Sequence, residues 1–165
     1  MKLKATSLFL GICLAALASA ASPASARTVS GFTSFHVGSN VVNAYKTNPY
    51  NCVTEWYGAA VNYCKESVGL DFSLPIDTAG SHSVSVTDLW FGLNAPINCG
   101  ISSYTGKGES GGDVQNITFT GLSQTLQATI NVPTGGYIQV ICILPAATSN
   151  KSPGGAGIAF IEWTP

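Results

Sequence analysis

The chain has 165 residues, of which 9% are charged and 45% are hydrophobic, and its formal net charge is −1. Charged residues make up about 25% of an average soluble protein, so Ser, Thr, Asn, Gln and Gly must cover much of this surface. This balance argues against nucleic acid as a partner, which needs a basic face, and leaves few groups for acid–base catalysis.

The N-terminus has the layout of a secretory signal peptide. A basic start precedes an apolar run at residues 8–17, and residues 24–26 (Ala-Ser-Ala) form a small-residue cleavage site. A run of about ten apolar residues is too short to cross a bilayer as a helix, which takes about 20. We predict cleavage after Ala26, with residues 18–20 as the alternative site and an uncleaved anchor as the alternative interpretation. Residues 27–165 then form one secreted or periplasmic domain without a membrane span.

Four cysteines follow this leader: Cys52, Cys64, Cys99 and Cys142. An even number in an exported chain predicts two disulfides. Of the three possible connectivities we favour Cys52–Cys64, which closes a short loop, together with Cys99–Cys142. The second pair would join two strand-like runs, as disulfides that staple the sheets of a β-sandwich do. A zinc site or a redox dithiol is disfavoured, because the chain has no Cys-x-x-Cys or His-x-x-x-His spacing.

Short β-rich runs recur along the domain and are separated by Gly, Pro, Asn and Ser clusters. We predict strands at residues 29–37, 40–46, 55–63, 69–74, 82–91, 97–104, 114–121, 124–132, 137–144 and 157–163. Short strands with turn signals at near-regular spacing predict a single antiparallel β-sandwich or jelly-roll-like domain.

The clearest strand pattern lies in residues 124–144. Apolar and polar residues alternate over residues 124–132, which predicts a strand with one buried face. Residues 133–136 (Pro-Thr-Gly-Gly) supply turn chemistry, so we predict a hairpin with the next run. That run, residues 137–144, is apolar on both faces apart from Gln139, which predicts a central strand.

Aromatic residues give the most suggestive candidate site. A pyranose ring stacks on an exposed planar side chain, and neighbouring polar groups then bind its hydroxyls. We predict that Tyr50, Trp56, Tyr57 and Trp90 form such a ligand-binding surface. The alternative is that these rings belong to the core, where large aromatic residues usually lie. Trp56 and Tyr57 are adjacent, so in one strand they would face opposite sides.

Neither the histidines nor the carboxylates form a recognisable catalytic motif, and we predict no catalytic residue. His82 could meet Asp77 or Asp88, but no Gly-x-Ser-x-Gly nucleophile elbow is present. The acidic residues show no paired spacing of the kind a glycosidase would need. Acidic loop residues could supply a structural Ca²⁺ site, but no Asp-x-Asp-x-Asp cluster supports one, so no metal or cofactor is predicted.

Glu162 is the unusual carboxylate. It alternates in phase with Ile158 and Phe160, on a strand face that should be buried. It must therefore either pair inside the domain or lie at the margin of a sheet, and its position three residues from the C-terminus favours the margin.

Several short runs carry a resemblance to other proteins: residues 61–64 (VNYC), 84–88 (VSVTD), 97–99 (INC), 137–145 (YIQVICILP) and a closing strand that ends in Glu162. In these runs, over about residues 52–163, the chain resembles a loose group of small secreted bacterial all-β proteins of unknown function. It departs from them at Lys65, where Pro is expected after the cysteine. The resemblance implies a secreted β-domain and brings no activity with it.

Three functions are compatible with these observations. The leading hypothesis is a secreted non-catalytic binding module for carbohydrate or a cell-surface component, because the chain has low charge, many small polar residues and an aromatic cluster. The second is a structural or protein-interaction protein of the envelope or extracellular matrix, which could self-associate through edge strands. The third, a secreted hydrolase, would need His82 or a carboxylate pair in a cleft.

Overall fold

The computed structural model describes residues 26–30, 36–37, 52–90, 95–147 and 155–165. The predicted signal peptide up to residue 25 and the predicted strand at 40–46 lie outside these ranges. The described strands are β1 (Arg27–Ser30), β2 (His36–Val37), β3 (Val53–Trp56), β4 (Ala59–Asn62), β5 (Val68–Pro75), β6 (Gly80–Trp90), β7 (Ile97–Tyr104), β8 (Ser110–Phe119), β9 (Thr125–Val132), β10 (Tyr137–Leu144) and β11 (Ala156–Trp163).

The strands form two antiparallel sheets. One has the order β3-β4-β11-β6-β9, with β1 also paired to β11, and the other has the order β2-β5-β10-β7-β8. The predicted all-β sandwich is confirmed. The predicted strand at 29–37 is divided between the sheets, because β1 pairs with β11 and β2 pairs with β5.

The core lies between the sheets and follows from the period of two along each strand. In β5, every second residue faces the core, and Leu70, Phe72 and Leu74 are at most 1% exposed. In β10, Ile138 and Val140 are buried by the same alternation. Fully burying one such side chain stabilises the fold by about 1.5–3 kcal/mol, so these inward rows hold the two sheets together.

β10 is a central strand, as its apolar run predicts, with β5 on one side and β7 on the other. The predicted hairpin over residues 124–144 is wrong, because β9 pairs with β6 in the opposite sheet. The turn at residues 133–136 therefore carries the chain from one sheet to the other. An alternating strand can pair with the next strand in a hairpin or can be followed by a connection to the other sheet. Alternation along the strand is the same in both cases, so it does not distinguish them.

Both disulfides have the predicted pairing, Cys52–Cys64 and Cys99–Cys142. The expectation that the second joins the two sheets is wrong. Cys99 on β7 lies directly opposite Cys142 on β10, so this bond links neighbouring strands of one sheet. Its position is nonetheless central, because both cysteines point into the core.

The predicted strand at 55–63 is a hairpin made of β3 and β4. Its turn lies at Tyr57 and Gly58, whose φ angles are 49° and 81°. Two consecutive left-handed residues are typical of the two-residue turns that match the twist of paired strands. The expectation that Trp56 and Tyr57 face opposite sides of one strand is therefore wrong.

A bulge in β11 changes which residues face the core. The register with β6 shifts between Ile158 and Phe160, and the inward residues after the shift are Ile161 and Trp163. A bulge adds one residue to one strand and so reverses the alternation beyond it. Glu162 consequently lies on the outer face of the sheet, half-buried, rather than on the buried face that its spacing from Ile158 predicts.

Candidate functional site

The outer surface of the five-stranded sheet carries the most distinctive group of side chains in the described structure. We call this surface the tyrosine face. It is formed by the outward residues of β5, β7 and β10, which are Gly69, Asp71, Ser73, Asn98, Gly100, Ser102, Tyr104, Tyr137, Gln139, Ile141 and Ile143.

Tyr104 and Tyr137 stack on each other at one end of this face. They are direct cross-strand partners on β7 and β10, with ring centroids 5.4 Å apart and planes inclined by 15°. Both side chains are only partly buried. Aromatic pairs across strands stabilise a sheet and hold one another in a defined rotamer, so this end presents a preorganised aromatic ridge.

Two tight loops, residues 105–109 and 133–136, support the tyrosine ridge. A Cβ on Gly136 would lie 2.3 Å from the carbonyl oxygen of Tyr104, and a Cβ on Gly106 would lie 2.6 Å from the oxygen of Gly135. Real Cβ atoms do not approach so closely, so glycine is needed for the backbones to pass each other here. The glycine-rich stretch after β7 is thus a packed support for the ridge.

Asp71 and Gln139 form the polar centre of the face. The Gln139 Nε2 amide donates to both carboxylate oxygens of Asp71, at 3.0 and 2.8 Å. This arrangement uses the amide's donors and leaves its oxygen, together with further lone pairs on the carboxylate, to accept hydrogen bonds. Gln139 lies two residues after Tyr137 on β10, so the Asp71–Gln139 pair offers hydrogen-bond acceptors beside the tyrosine ridge.

The rest of the face is flat and partly apolar. Ile141 and Ile143 are each 39% exposed, and glycines lie opposite both isoleucines on neighbouring strands. Gly100 adds no side chain and is partly exposed, so a ligand could approach the sheet backbone closely there, whereas Gly69 is buried beneath the Ile143 side chain. The result is an open apolar strip bordered by polar side chains, which is the general composition of a binding surface.

The four residues that the sequence predicted as a ligand surface lie elsewhere. Tyr57 is 90% exposed in the β3–β4 turn and makes an edge contact with the half-buried ring of Trp56, at 4.6 Å between centroids. Trp90 ends β6, and only its backbone is described; Tyr50 lies outside the described residues. This cluster remains a prediction, separate from the tyrosine face.

The ligand surface predicted from the sequence does not include Tyr104 and Tyr137, although their spacing from the cysteines indicates that they pair. Tyr104 follows Cys99 by five positions, and Tyr137 precedes Cys142 by five. If the two cysteines are opposite each other in an antiparallel pair, the tyrosines must be opposite as well. An odd spacing also puts them on the other face from the buried cysteines.

His82 is placed as a structural residue. It is buried, and its two ring nitrogens lie 2.9 Å from the carbonyl oxygens of Thr164 and Thr78. Asp77 is engaged by Arg27 at 2.7 Å, so it does not orient the imidazole. Both ring nitrogens of His82 therefore face backbone carbonyl oxygens, which holds the imidazole against the backbone of Thr78 and Thr164.

Asp88 is a buried carboxyl group on β6. It is 1% exposed; its Oδ1 accepts from the backbone amide of Gln124, and its Oδ2 is buried without a hydrogen-bond partner. Burial raises the pKa of Asp88 above its usual value, because the charged form is poorly solvated there. Within the described ranges, no three His, Cys, Asp or Glu side chains are grouped as metal ligands.

Neither protein-family models nor curated proteins gave a match. Among solved structures, a CBM35 carbohydrate-binding module from Cellvibrio japonicus is 12% identical, with 86% of this chain and 94% of the module covered and a TM-score of 0.51. This likeness supports the β-sandwich fold.

Two further solved structures have lower TM-scores. The C-terminal CBM6 of a laminarinase from Zobellia galactanivorans is 11% identical, with 86% of this chain and all of the module covered and a TM-score of 0.47. An isomalto-dextranase from Arthrobacter globiformis, complexed with panose, is 15% identical over 65% of this chain, with a TM-score of 0.43. This chain spans 21% of that enzyme's length.

No helix long and apolar enough to cross a bilayer occurs in the part of the chain that the structure describes.

Proposed function

We propose that the protein is a secreted, non-catalytic carbohydrate-binding module that holds a glycan on the tyrosine face. The observation that carries this proposal is the stacked pair of Tyr104 and Tyr137 beside the Asp71–Gln139 pair on an open sheet surface. This surface takes the place of the Trp56 and Tyr57 cluster as the principal candidate.

The chemistry of the face matches that of a sugar. The C–H faces of a pyranose are apolar and pack on aromatic or aliphatic surface, which the tyrosine ridge and the exposed isoleucines supply. Sugar hydroxyls are donors that need acceptors. The Asp71 carboxylate and the Gln139 amide oxygen supply them, and hydrogen bonds to a charged group are the stronger kind.

Secretion is supported by the two disulfides and by the predicted leader. Disulfides persist mainly in oxidising compartments, and two of them stabilise this domain. One solved structure with a similar sandwich is the CBM35 module from Cellvibrio japonicus. That likeness is one of fold, so the ligand itself is argued from the residues of the tyrosine face.

The proposal is tested by binding of the exported, oxidised protein to a panel of insoluble polysaccharides, with Tyr137→Ala as the diagnostic variant. Loss of one contacting aromatic residue costs about 2 kcal/mol, so we expect a roughly 30-fold weaker association. Tyr57→Ala is the matched control, because Tyr57 is the most exposed tyrosine of the described residues and lies in the opposite sheet. Tyr137→Phe keeps the stack and should retain most of the binding.

Each outcome of this experiment is informative. Saturable binding that is lost in Tyr137→Ala and kept in Tyr57→Ala supports the tyrosine face. The reverse pattern would move the site to the Trp56 and Tyr57 cluster that the sequence predicts. Absence of binding across the panel would contradict a carbohydrate-binding function.

A protein-interaction role is the second candidate, and the exposed isoleucines favour it. Ile141 and Ile143 lie side by side on the tyrosine face, and Val114 on the edge strand β8 is 56% exposed. Clustered exposed apolar residues bordered by polar ones are also typical of protein interfaces. Sedimentation of wild type and Ile141→Ser over a range of concentrations tests the self-associating version, which requires wild-type association that the substitution abolishes.

A further inference from the structure

A small pocket lies on the outer face of the six-stranded sheet, opposite the tyrosine face. We call it the Glu162 pocket. Its volume is about 220 Å³, and its lining residues are Ala26, Ser83, Ser85, Gln127, Glu162, Trp163 and Thr164. Pockets for drug-sized ligands measure about 300–1,000 Å³, so this one suits a smaller group.

Glu162 is the charged residue of the pocket. Its side chain is half-buried, and the hydroxyl of Thr28 lies 3.5 Å from its Oε1 oxygen. Among the described residues, no Lys or Arg nitrogen lies within 4 Å of this carboxylate, and Arg27 pairs instead with Asp77. A partly buried carboxylate gains most from a nearby cation that also donates hydrogen bonds.

The start of β1 is held against this carboxylate. Thr28 pairs with Glu162, and Arg27 pairs with Trp163, so the backbone before Arg27 runs along the pocket that Ala26 lines. The Arg27 guanidinium is anchored separately, at 2.7 Å from Asp77. Strand pairing and this ion pair together fix where the backbone nitrogen of Arg27 lies.

We propose that cleavage of the leader after Ala26 creates an α-ammonium on Arg27 that the Glu162 pocket binds, with Glu162 as its counter-ion. A host signal peptidase hydrolyses the Ala26–Arg27 amide. Water supplies the hydroxyl that completes the Ala26 carboxylate, which leaves with the leader. It also supplies a proton to the Arg27 nitrogen, and the resulting amine takes up a further proton from solvent at neutral pH.

This assignment explains why a carboxylate sits on an otherwise hydroxyl- and amide-rich surface. A primary ammonium has three donors and is small enough for the pocket. Processing would thereby add an ion pair at the free end of β1, a strand that pairs only with β11 among the described strands. The inference goes beyond the proposed function and does not depend on glycan binding.

The test uses the full chain expressed with its own leader in an exporting bacterial host. Intact mass of the exported product gives its N-terminal residue. Its α-amine is then acylated at pH 7, and the rate is followed by mass spectrometry of the N-terminal peptide. Because Glu162 favours the unreactive ammonium, we expect Glu162→Gln to react about threefold to tenfold faster than wild type. Glu109→Gln, which removes an exposed loop carboxylate, is the matched control and should react as wild type does.

A second measurement keeps the proposal testable if Glu162→Gln does not fold. In wild type, raising salt to about 1 M shortens the screening length to about 3 Å, and the acylation rate should rise toward that of an unpaired amine. An exported product that does not begin at Arg27 overturns the proposal. So does a rate that is unchanged both by Glu162→Gln and by salt. Failure of glycan binding has no bearing on any of these readouts.

Discussion

Removal of the two disulfides separately gives the sharpest test of how this fold is stabilised. Cys99 and Cys142 are 43 positions apart, and Cys52 and Cys64 are 12 apart. In the chain-entropy model, a cross-link stabilises by restricting the unfolded chain, and longer loops are restricted more. These separations give about 4 kcal/mol for the first bond and about 3 kcal/mol for the second. The free energy of unfolding of a domain of this size is about 5–15 kcal/mol, so removal of either disulfide takes away a large part of it.

Burial increases the expected difference. Cys99 and Cys142 are at most 1% exposed within the core, whereas Cys52 is partly exposed. Replacing both core cysteines by alanine also leaves a small cavity, which adds to the loss. We therefore expect Cys99→Ala/Cys142→Ala to be the less stable double variant. At about 3–4 °C per kcal/mol, its melting temperature should fall by at least about 12 °C.

The assay is urea unfolding of wild type and both double variants, followed by far-ultraviolet circular dichroism and fitted with a common slope. Wild type in a thiol reductant is a useful companion, because the Cys52–Cys64 bond, in which Cys52 is partly exposed, should open before the fully buried Cys99–Cys142 bond. Equal losses in the two double variants, or a larger loss without Cys52–Cys64, would refute the reasoning from loop length and burial.

Three further predictions concern single residues. Burial raises the pKa of Asp88, so the folded state holds the carboxyl proton more tightly than the unfolded state does. The free energy of unfolding therefore falls as pH rises from the unfolded-state pKa toward the higher folded-state pKa. Asp88→Asn should gain stability relative to wild type as pH rises above the usual aspartate pKa of about 3.9, and a difference in urea midpoint that does not change with pH would contradict this. Gly136→Ala should cost about 2 kcal/mol or more by thermal melting, because its Cβ would meet the Tyr104 carbonyl, whereas Gly100→Ala has ordinary contacts and should cost far less. Asn62→Ala should cost about 2–4 kcal/mol in the same measurement, because the buried Asn62 amide donates to the Pro145 and Glu66 carbonyls and its oxygen accepts from the Cys64 amide.

Local sequence was enough for the fold class and the strands. Alternation with a period of two and frequent turn residues predict β-structure, and most predicted strands coincide with observed ones. The leader-like N-terminus and the even number of cysteines predict two disulfides, and the short Cys52–Cys64 loop favours the pairing that the structure has. These features depend on neighbouring residues or on simple counts, so one sequence is sufficient to read them.

Local sequence did not reveal where a β-rich run is interrupted by a turn or where a bulge reverses the alternation of inward and outward residues. Tyr57 and Gly58 occupy left-handed conformations within a run that looks continuous. The bulge between Ile158 and Phe160 reverses the faces of β11, so Glu162 points outward. Both features depend on pairing with a neighbouring strand, which alternation along a single strand does not encode.

The candidate sites were decided by tertiary structure. Tyr104 and Tyr137 come together because β7 and β10 are neighbours in one sheet, although 32 residues lie between them in the chain. The same pairing opposes Cys99 and Cys142 inside the core. Likewise, β1 returns to β11 and brings Ala26 beside Glu162. Within a strand that has no bulge, sequence determines which residues alternate between inside and outside. Strand order and register decide which outward residues meet, because that choice is settled by packing the whole core.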